Sequence, residues 1–135
     1  DRKRTVDLEG ALKSIEGALG AGIRRFVHVS AIDVDEPVPA DASPVWRAYV
    51  KAKRDADAAL RATDLDWTII RPGRLTDERG TGLVALGEDV ERADIPRADV
   101  AAVLAAVVDA PTSVRRQWNL VSGPATVEDA MATVH

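Results

Sequence analysis

The fold is decided by the stretch RFVHVS at residues 25–30, a run of β-branched and aromatic residues bounded by polar ones. A run of this kind predicts a buried strand. A second such run, DWTIIR at residues 66–71, is stopped by Pro72-Gly73, and a third extends from Gln117 to Ser122. We also expect a short edge strand from Leu83 to Leu86.

Helices are predicted around these strands, because apolar residues recur at helical spacing. They cover Thr5 to Leu19, Val45 to Ala62, a segment that begins at Pro96, and Val127 to Val134. Gly20 and Gly22 supply the permissive backbone that ends the first helix. Ser43 is the expected N-cap of the second, with Pro44 in the first turn, where a missing N–H costs little.

Helices and strands therefore alternate along the chain, a pattern typical of a parallel sheet covered by helices. Three strands are few for such a sheet, since the mean sheet has about five or six. The pattern thus predicts an α/β fold that is part of a larger sheet.

The composition is that of one globular domain, with 46% apolar and 30% charged residues in a chain of 135. No apolar run approaches the roughly 20 residues that span a bilayer, so we expect a cytoplasmic protein without a membrane partner. Zero cysteines and two histidines disfavour a metal site. A net charge of −4 disfavours nucleic acid. The three tryptophans are too scattered to predict a stacking platform.

The second helix carries the one residue pair with an evident chemical use. Tyr49 and Lys53 are four residues apart, so both side chains lie on one helix face. A neighbouring ammonium stabilises the phenolate and makes a phenol a better proton donor near neutral pH. The alternative is structural: the ring packs on the helix surface, while Lys51, Lys53 and Arg54 form a solvated basic stripe.

Ligands of open α/β sheets bind beyond the carboxyl ends of the strands. Three segments are candidates on this rule, namely 30–32, 71–74 and 122–124. The first two follow consecutive strands, so we expect them to be neighbours.

The ordered series VHVS at 27–30, YVKAK at 49–53 and WTIIRPG at 67–73 resembles the second half of a short-chain dehydrogenase/reductase. More narrowly, residues 66–76 followed by IPRADVA at 95–101 are similar to the atypical NAD(P)H-binding group that includes the NmrA-like and biliverdin reductase B-like proteins. The resemblance implies a Rossmann-like doubly wound parallel sheet. This chain would be its carboxyl-terminal portion, with about three parallel strands and flanking helices.

The resemblance also implies roles for individual residues. Tyr49 and Lys53 would contact the nicotinamide ribose and act as the catalytic pair. The other residues implied to bind the cofactor are Ser30 and Ala31 at its nicotinamide end, Pro72 and Gly73 in the turn that holds the carboxamide, and Arg74 and Leu75 in the pocket wall. NADP is the implied cofactor, with NAD as the other possibility, and the implied partner is a small-molecule substrate.

The chain departs from the family pattern in two places. The family's catalytic serine stands one or two positions after Ser30, where this chain has Ala31 and Ile32, so a serine-tyrosine-lysine triad is not expected. No glycine-rich pyrophosphate motif is present either. We therefore expect residues 1–135 to be the carboxyl-terminal part of a single NAD(P)-binding domain whose glycine-rich part lies upstream.

The leading hypothesis is an oxidoreductase that transfers hydride from NAD(P)H to a small carbonyl, quinone or flavin-like acceptor. Two alternatives remain open at this point. The protein could be a non-catalytic redox sensor that binds NAD(P) and reports its state to a partner, or the 135 residues could be inactive by themselves.

Overall fold

The computed structural model describes residues 2–134, with side chains from residue 8 onward. In chain order the elements are α1 (Arg2–Ala21), β1 (Arg25–Val29), α2 (Pro44–Arg61), β2 (Asp66–Pro72), β3 (Arg74–Thr76), β4 (Leu83–Gly87), β5 (Asp94–Pro96), α3 (Arg97–Val108), β6 (Arg116–Ser122), β7 (Ala125–Thr126) and α4 (Val127–Thr133). They form two compact units. The first comprises Asp1–Phe26 and Asp33–Trp67, and the second Val27–Ile32 and Thr68–His135.

The first unit is built on α1 packed against α2. Helix α1 begins earlier than the predicted Thr5 and ends as predicted at a glycine. Gly22 has a φ of +73°, and the Ile23 N–H donates to Ala18 O at 2.9 Å. This left-handed residue closes the helix because glycine has no Cβ to oppose it.

Helix α2 starts as its sequence predicts. Ser43 is the N-cap, and its side chain accepts a hydrogen bond from the Trp46 N–H at 3.1 Å. Pro44 occupies the first turn. The Arg47 guanidinium donates to the carbonyls of Pro39 and Ala40 at 2.8 and 2.9 Å, which fastens the preceding loop to the first turn of the helix.

A five-stranded sheet has the order β1-β2-β6-β4-β7, and most of its residues belong to the second unit. Strands β2 and β6 are parallel, from Thr68↔Arg116 to Pro72↔Leu120. The N–H groups of Ser30 and Ile32 donate to Ile70 O and Pro72 O, and this equal advance along both segments is the pattern of a parallel ladder. The three predicted parallel strands are confirmed, although β1 is half-buried along its length and not buried as expected.

The predicted strand from Leu83 to Leu86 is present, but the prediction that it is an edge strand is wrong. Strand β4 lies between β6 and β7 and is antiparallel to both. The chain reverses tightly after β6, and Gly123 in this turn lies against β4. A Cβ on Gly123 would stand 2.6 Å from Ala85 N. A turn of this kind lets β7 pair with β4 beside β6, and no local pattern in residues 83–86 encodes that pairing.

A second sheet was not predicted at all. Strands β3 and β5, each of three residues, form a parallel pair. The core of this unit consists of the buried residues Ile70, Val84, Ile95, Val100, Val103, Val107, Trp118, Leu120 and Ala130. Within residues 2–134, no helix combines the length and apolar character needed to cross a bilayer.

Candidate cofactor-binding and active site

Helix α2 brings the predicted catalytic pair together on one face. The Lys53 Nζ lies 5.9 Å from the centroid of the Tyr49 ring, within the range of a cation–π contact. Both side chains are half-buried. Among the residues that the structure describes, the Lys53 ammonium has no carboxylate partner, so its N–H donors remain available for a ligand.

The neighbouring basic residues Lys51 and Arg54, unlike Lys53, are paired with other groups of the protein. Lys51, two residues before Lys53, forms an ion pair with Asp55 at 2.9 Å. Arg54 donates from Nε to Val34 O at 2.8 Å and so ties the loop after β1 to α2. The predicted basic stripe is therefore divided. Lys51 and Arg54 have structural partners, whereas Lys53 faces Tyr49.

Trp46 is a third member of this helix face, and the sequence reasoning missed it. Its ring stacks on Tyr49 with centroids 5.3 Å apart and an interplanar angle of 26°. Trp67 and Trp118 are buried, whereas Trp46 is 44% exposed. The signal that could have revealed it is the i,i+3 spacing from Tyr49, which puts two aromatic rings one turn apart on one side of a helix.

In the second unit, the strand ends lie side by side as predicted. The Ile32 N–H donates to Pro72 O at 3.0 Å, which joins residues 30–32 to the end of β2. Ser30 and Pro72 are buried, and Ala31 is half-buried. The two positions after Ser30, where the family carries its catalytic serine, are held here by side chains that have no hydroxyl group.

Gly73 is required by a close chain approach. A Cβ at this position would stand 1.8 Å from Ala93 O and 3.2 Å from Val121 Cγ1. The Gly73 N–H donates to Leu120 O at 3.0 Å, and Pro72 O already accepts from Ile32. A backbone contact from this turn to a cofactor would therefore use groups other than the Gly73 N–H.

Arg74 and Leu75, predicted as pocket wall, lie in β3 with different surroundings. The Arg74 guanidinium makes two hydrogen bonds to Asp94, Nε to Oδ1 at 3.1 Å and NH2 to Oδ2 at 2.6 Å. These bonds hold the pKa of the Asp94 carboxyl below its ordinary value and raise the pKa of Arg74. Both groups are exposed, and Leu75 is 40% exposed.

The segment IPRADVA at 95–101 has a structural explanation in Asp99. This carboxylate is buried in the first turn of α3 and accepts from the Thr81 N–H at 3.1 Å and the Gly82 N–H at 2.9 Å. Thr81 Oγ1 also donates to it at 3.3 Å. Asp99 thus fixes the loop before β4, which explains why an acidic residue stands at this position.

An open groove of about 470 Å³ lies elsewhere in the second unit. It is lined by residues 86–90 together with Thr133 and Val134. None of the predicted site residues is among them, and the acidic side chains of Glu88 and Asp89 are unfavourable for dinucleotide phosphates. The described part of the chain gathers no group of three or more histidine, aspartate or glutamate side chains that could hold a metal ion.

Comparison with known proteins identifies the family. A family model described as NAD(P)H-binding matches residues 1–111. The protein named uncharacterized sugar epimerase YhfK, from Bacillus subtilis, is 40% identical over 131 residues, which cover 97% of this chain and 60% of that protein. The chain thus spans about three fifths of the length of this relative.

Solved structures with the same fold lead to the same assignment. The oxidoreductase ylbE from Lactococcus lactis superimposes with a TM-score of 0.89 at 31% identity, covering 98% of this chain and 62% of that one. The anaerobilin reductase ChuY from Escherichia coli O157:H7 has a TM-score of 0.75 at 27% identity, covering 89% and 62%. The chain belongs to the NAD(P)H-binding family of atypical short-chain dehydrogenases/reductases.

Proposed function

We propose that this chain supplies the nicotinamide-binding and substrate-binding part of an NAD(P)H-dependent oxidoreductase. The observation that carries the proposal is the face of α2 on which Tyr49 is flanked by the Lys53 ammonium, 5.9 Å from its ring centroid. A phenol and an uncommitted ammonium are the donors that a ribose and a reducible oxygen require. Family membership supports the choice of a nicotinamide dinucleotide.

When bound, the dinucleotide supplies a hydride. Tyr49 supplies the proton that the reduced acceptor needs, and Lys53 stabilises the phenolate left behind and hydrogen-bonds the nicotinamide ribose. NADP is the proposed preference, with NAD as the alternative, on the ground of family resemblance alone.

The second unit contributes surface and backbone to the proposed binding of the nicotinamide. Ser30 and Ala31 border the ring, and Pro72 and Gly73 shape the turn beside the carboxamide. Two features support this assignment: Ser30 and Pro72 are held on neighbouring strand ends, and the Gly73 turn admits no side chain. Arg74 and Leu75 continue the wall, with Arg74 held by Asp94.

We also propose that residues 1–135 form the carboxyl-terminal part of one NAD(P)-binding domain. The relatives are longer than this chain, and the glycine-rich turn that receives a pyrophosphate does not occur in the sequence. In this proposal the turn lies upstream in the gene product.

A second candidate is a redox sensor that binds NAD(P) without turning it over. The observation that favours it is the pair Ala31 and Ile32 at the positions of the family's catalytic serine. A ribose-binding role for Tyr49 and Lys53 is compatible with this function too. Oxidation of NADPH in the presence of a panel of quinones, flavins and small carbonyls separates the two candidates.

The decisive variant is Tyr49→Phe in the complete gene product. It removes the hydroxyl and keeps the ring that stacks on Trp46. We expect kcat to fall about 100-fold or more, the usual contribution of a positioned general acid, with the Kd for NADPH little changed. Lys53→Met should weaken NADPH binding, and Lys51→Met, whose ion pair is with Asp55, is the matched control. An unchanged kcat in Tyr49→Phe would rule out the catalytic role.

A further inference from the structure

Trp46 is an exposed aromatic residue at the start of α2, and its ring lies against that of Tyr49. Its backbone N–H is capped by Ser43 Oγ at 3.1 Å, and its ring stacks on Tyr49. The preceding loop is tied to the same turn by Arg47. An indole constrained in this way loses little conformational freedom when a ligand packs on it, which favours binding. Even so, 44% of the residue is open to solvent.

Trp46 and Lys53 lie on opposite sides of Tyr49 along the axis of α2. Lys53 lies four residues after Tyr49, about 6 Å further along the helix axis, and Trp46 lies three residues before it, about 4.5 Å in the other direction. In the proposed function Lys53 marks the side of the cofactor ribose. Trp46 is therefore on the side opposite the ribose, where the hydride acceptor has to reach the Tyr49 hydroxyl.

We propose that Trp46 selects the acceptor, and that the acceptor is a flat, conjugated, electron-poor ring of the quinone type that stacks on the indole. The inference rests on the proposed function and narrows its acceptor class, since an aliphatic carbonyl gains nothing from a stacking surface. The indole is electron-rich, and parallel rings at van der Waals distance attract an electron-poor partner. Trp46 is a specificity residue and transfers no proton.

The reaction balances in atoms and electrons. The quinone takes one hydride from NAD(P)H and one proton from Tyr49 Oη, and becomes a hydroquinone. NAD(P)H is oxidised to NAD(P)⁺, and the Tyr49 phenolate recovers its proton from solvent. No further oxidant or reductant is needed.

The test compares Trp46→Leu, Trp46→Phe and the neighbouring control Val45→Ala in the complete gene product. Val45 is 56% exposed and carries no ring. The probes are a naphthoquinone and a small aliphatic aldehyde, each with NADPH. In Trp46→Leu we expect the ratio of kcat/KM for the naphthoquinone to that for the aldehyde to fall about three- to tenfold. Trp46→Phe should restore most of the ratio, and Val45→Ala should leave it unchanged.

Binding gives a readout that does not depend on turnover. Calorimetric titration with the naphthoquinone should show a Kd raised about three- to tenfold in Trp46→Leu and nearly restored in Trp46→Phe. Saturable quenching of indole fluorescence by the naphthoquinone should be stronger in the wild type than in Trp46→Phe, because that variant lacks the exposed indole. Circular dichroism checks that each variant is folded.

The outcomes separate this inference from the function on which it rests. Equal losses with both acceptors, an unaltered Kd in Trp46→Leu, or quenching as strong in Trp46→Phe as in the wild type would overturn the stacking role while leaving the oxidoreductase standing. A wild-type protein that fails to oxidise NADPH with every acceptor tested would overturn the proposed function, and this inference with it.

Discussion

Replacing Gly73 by alanine tests the packing on which the proposed cofactor turn depends. The added Cβ would lie 1.8 Å from Ala93 O, whereas ordinary contact begins near 3.4 Å. The obstacle is a backbone atom in the segment that leads into β5, so no side-chain rotation relieves it. Either the 93–96 segment retreats by about 1.6 Å or the turn after β2 moves, which strains the Gly73 N–H bond to Leu120 O.

The magnitude follows from two contributions. Overpacking a close-packed site costs about 1–3 kcal/mol, and weakening one buried backbone hydrogen bond costs about 1 kcal/mol. We expect Gly73→Ala to lower the free energy of unfolding by about 3 kcal/mol. With an unfolding entropy of about 2.1 cal/mol/K per residue, this loss lowers the Tm by about 10 °C for a cooperative unit of 135 residues, and by somewhat less in the longer complete gene product, in which it is measured.

The assay is thermal unfolding followed by circular dichroism, with Gly17→Ala as the matched control. Gly17 lies inside α1, and a Cβ added there meets nothing within 4 Å. The same substitution should raise stability there by about 0.5–1 kcal/mol, because alanine is the better helix former. A Tm of Gly73→Ala within 2 °C of the wild type, or equal to that of Gly17→Ala, would refute the close approach and the shape of the turn inferred from it.

Two further predictions concern charged groups. Asp99→Ala leaves the N–H groups of Thr81 and Gly82 without their acceptor. It should lower the free energy of unfolding, measured in urea, by about 2–3 kcal/mol. A decrease below about 0.5 kcal/mol would contradict the role of this carboxylate. The second concerns pH. Arg74 lowers the pKa of Asp94 in the folded protein below its ordinary value of 3.8. The ion pair therefore stabilises the fold at pH values above 3.8, and this stabilisation is lost as the pH falls below 3.8. Arg74→Gln should therefore lower Tm slightly at pH 7, and by less at high salt or as the pH falls below 3.8, and a pH-independent difference would contradict the ion pair.

Most of the candidate site on α2 could be predicted, because it depends on spacing within one helix. Residues four apart share a face, so the contact between Lys53 and the Tyr49 ring follows from the helix alone. The stack of Trp46 on Tyr49 follows from the same helical spacing, although it was not predicted. The partner of Arg74 could not be predicted, because Asp94 is 20 residues away and meets it only through the pairing of β3 with β5.

The helices, the glycine end of α1, the N-cap of α2 and the three parallel strands follow from local signals in the chain. Ser43, Pro44 and Gly22 act on neighbours within five residues, and short runs of β-branched and aromatic residues indicate strands. The position of β4, the pairing of β3 with β5 and the exclusion of a side chain at position 73 depend on contacts between distant segments. Strands of three residues carry almost no periodic signal. Their pairing partners and the backbone that approaches Gly73 come from distant parts of the chain, and they meet only when the fold has formed.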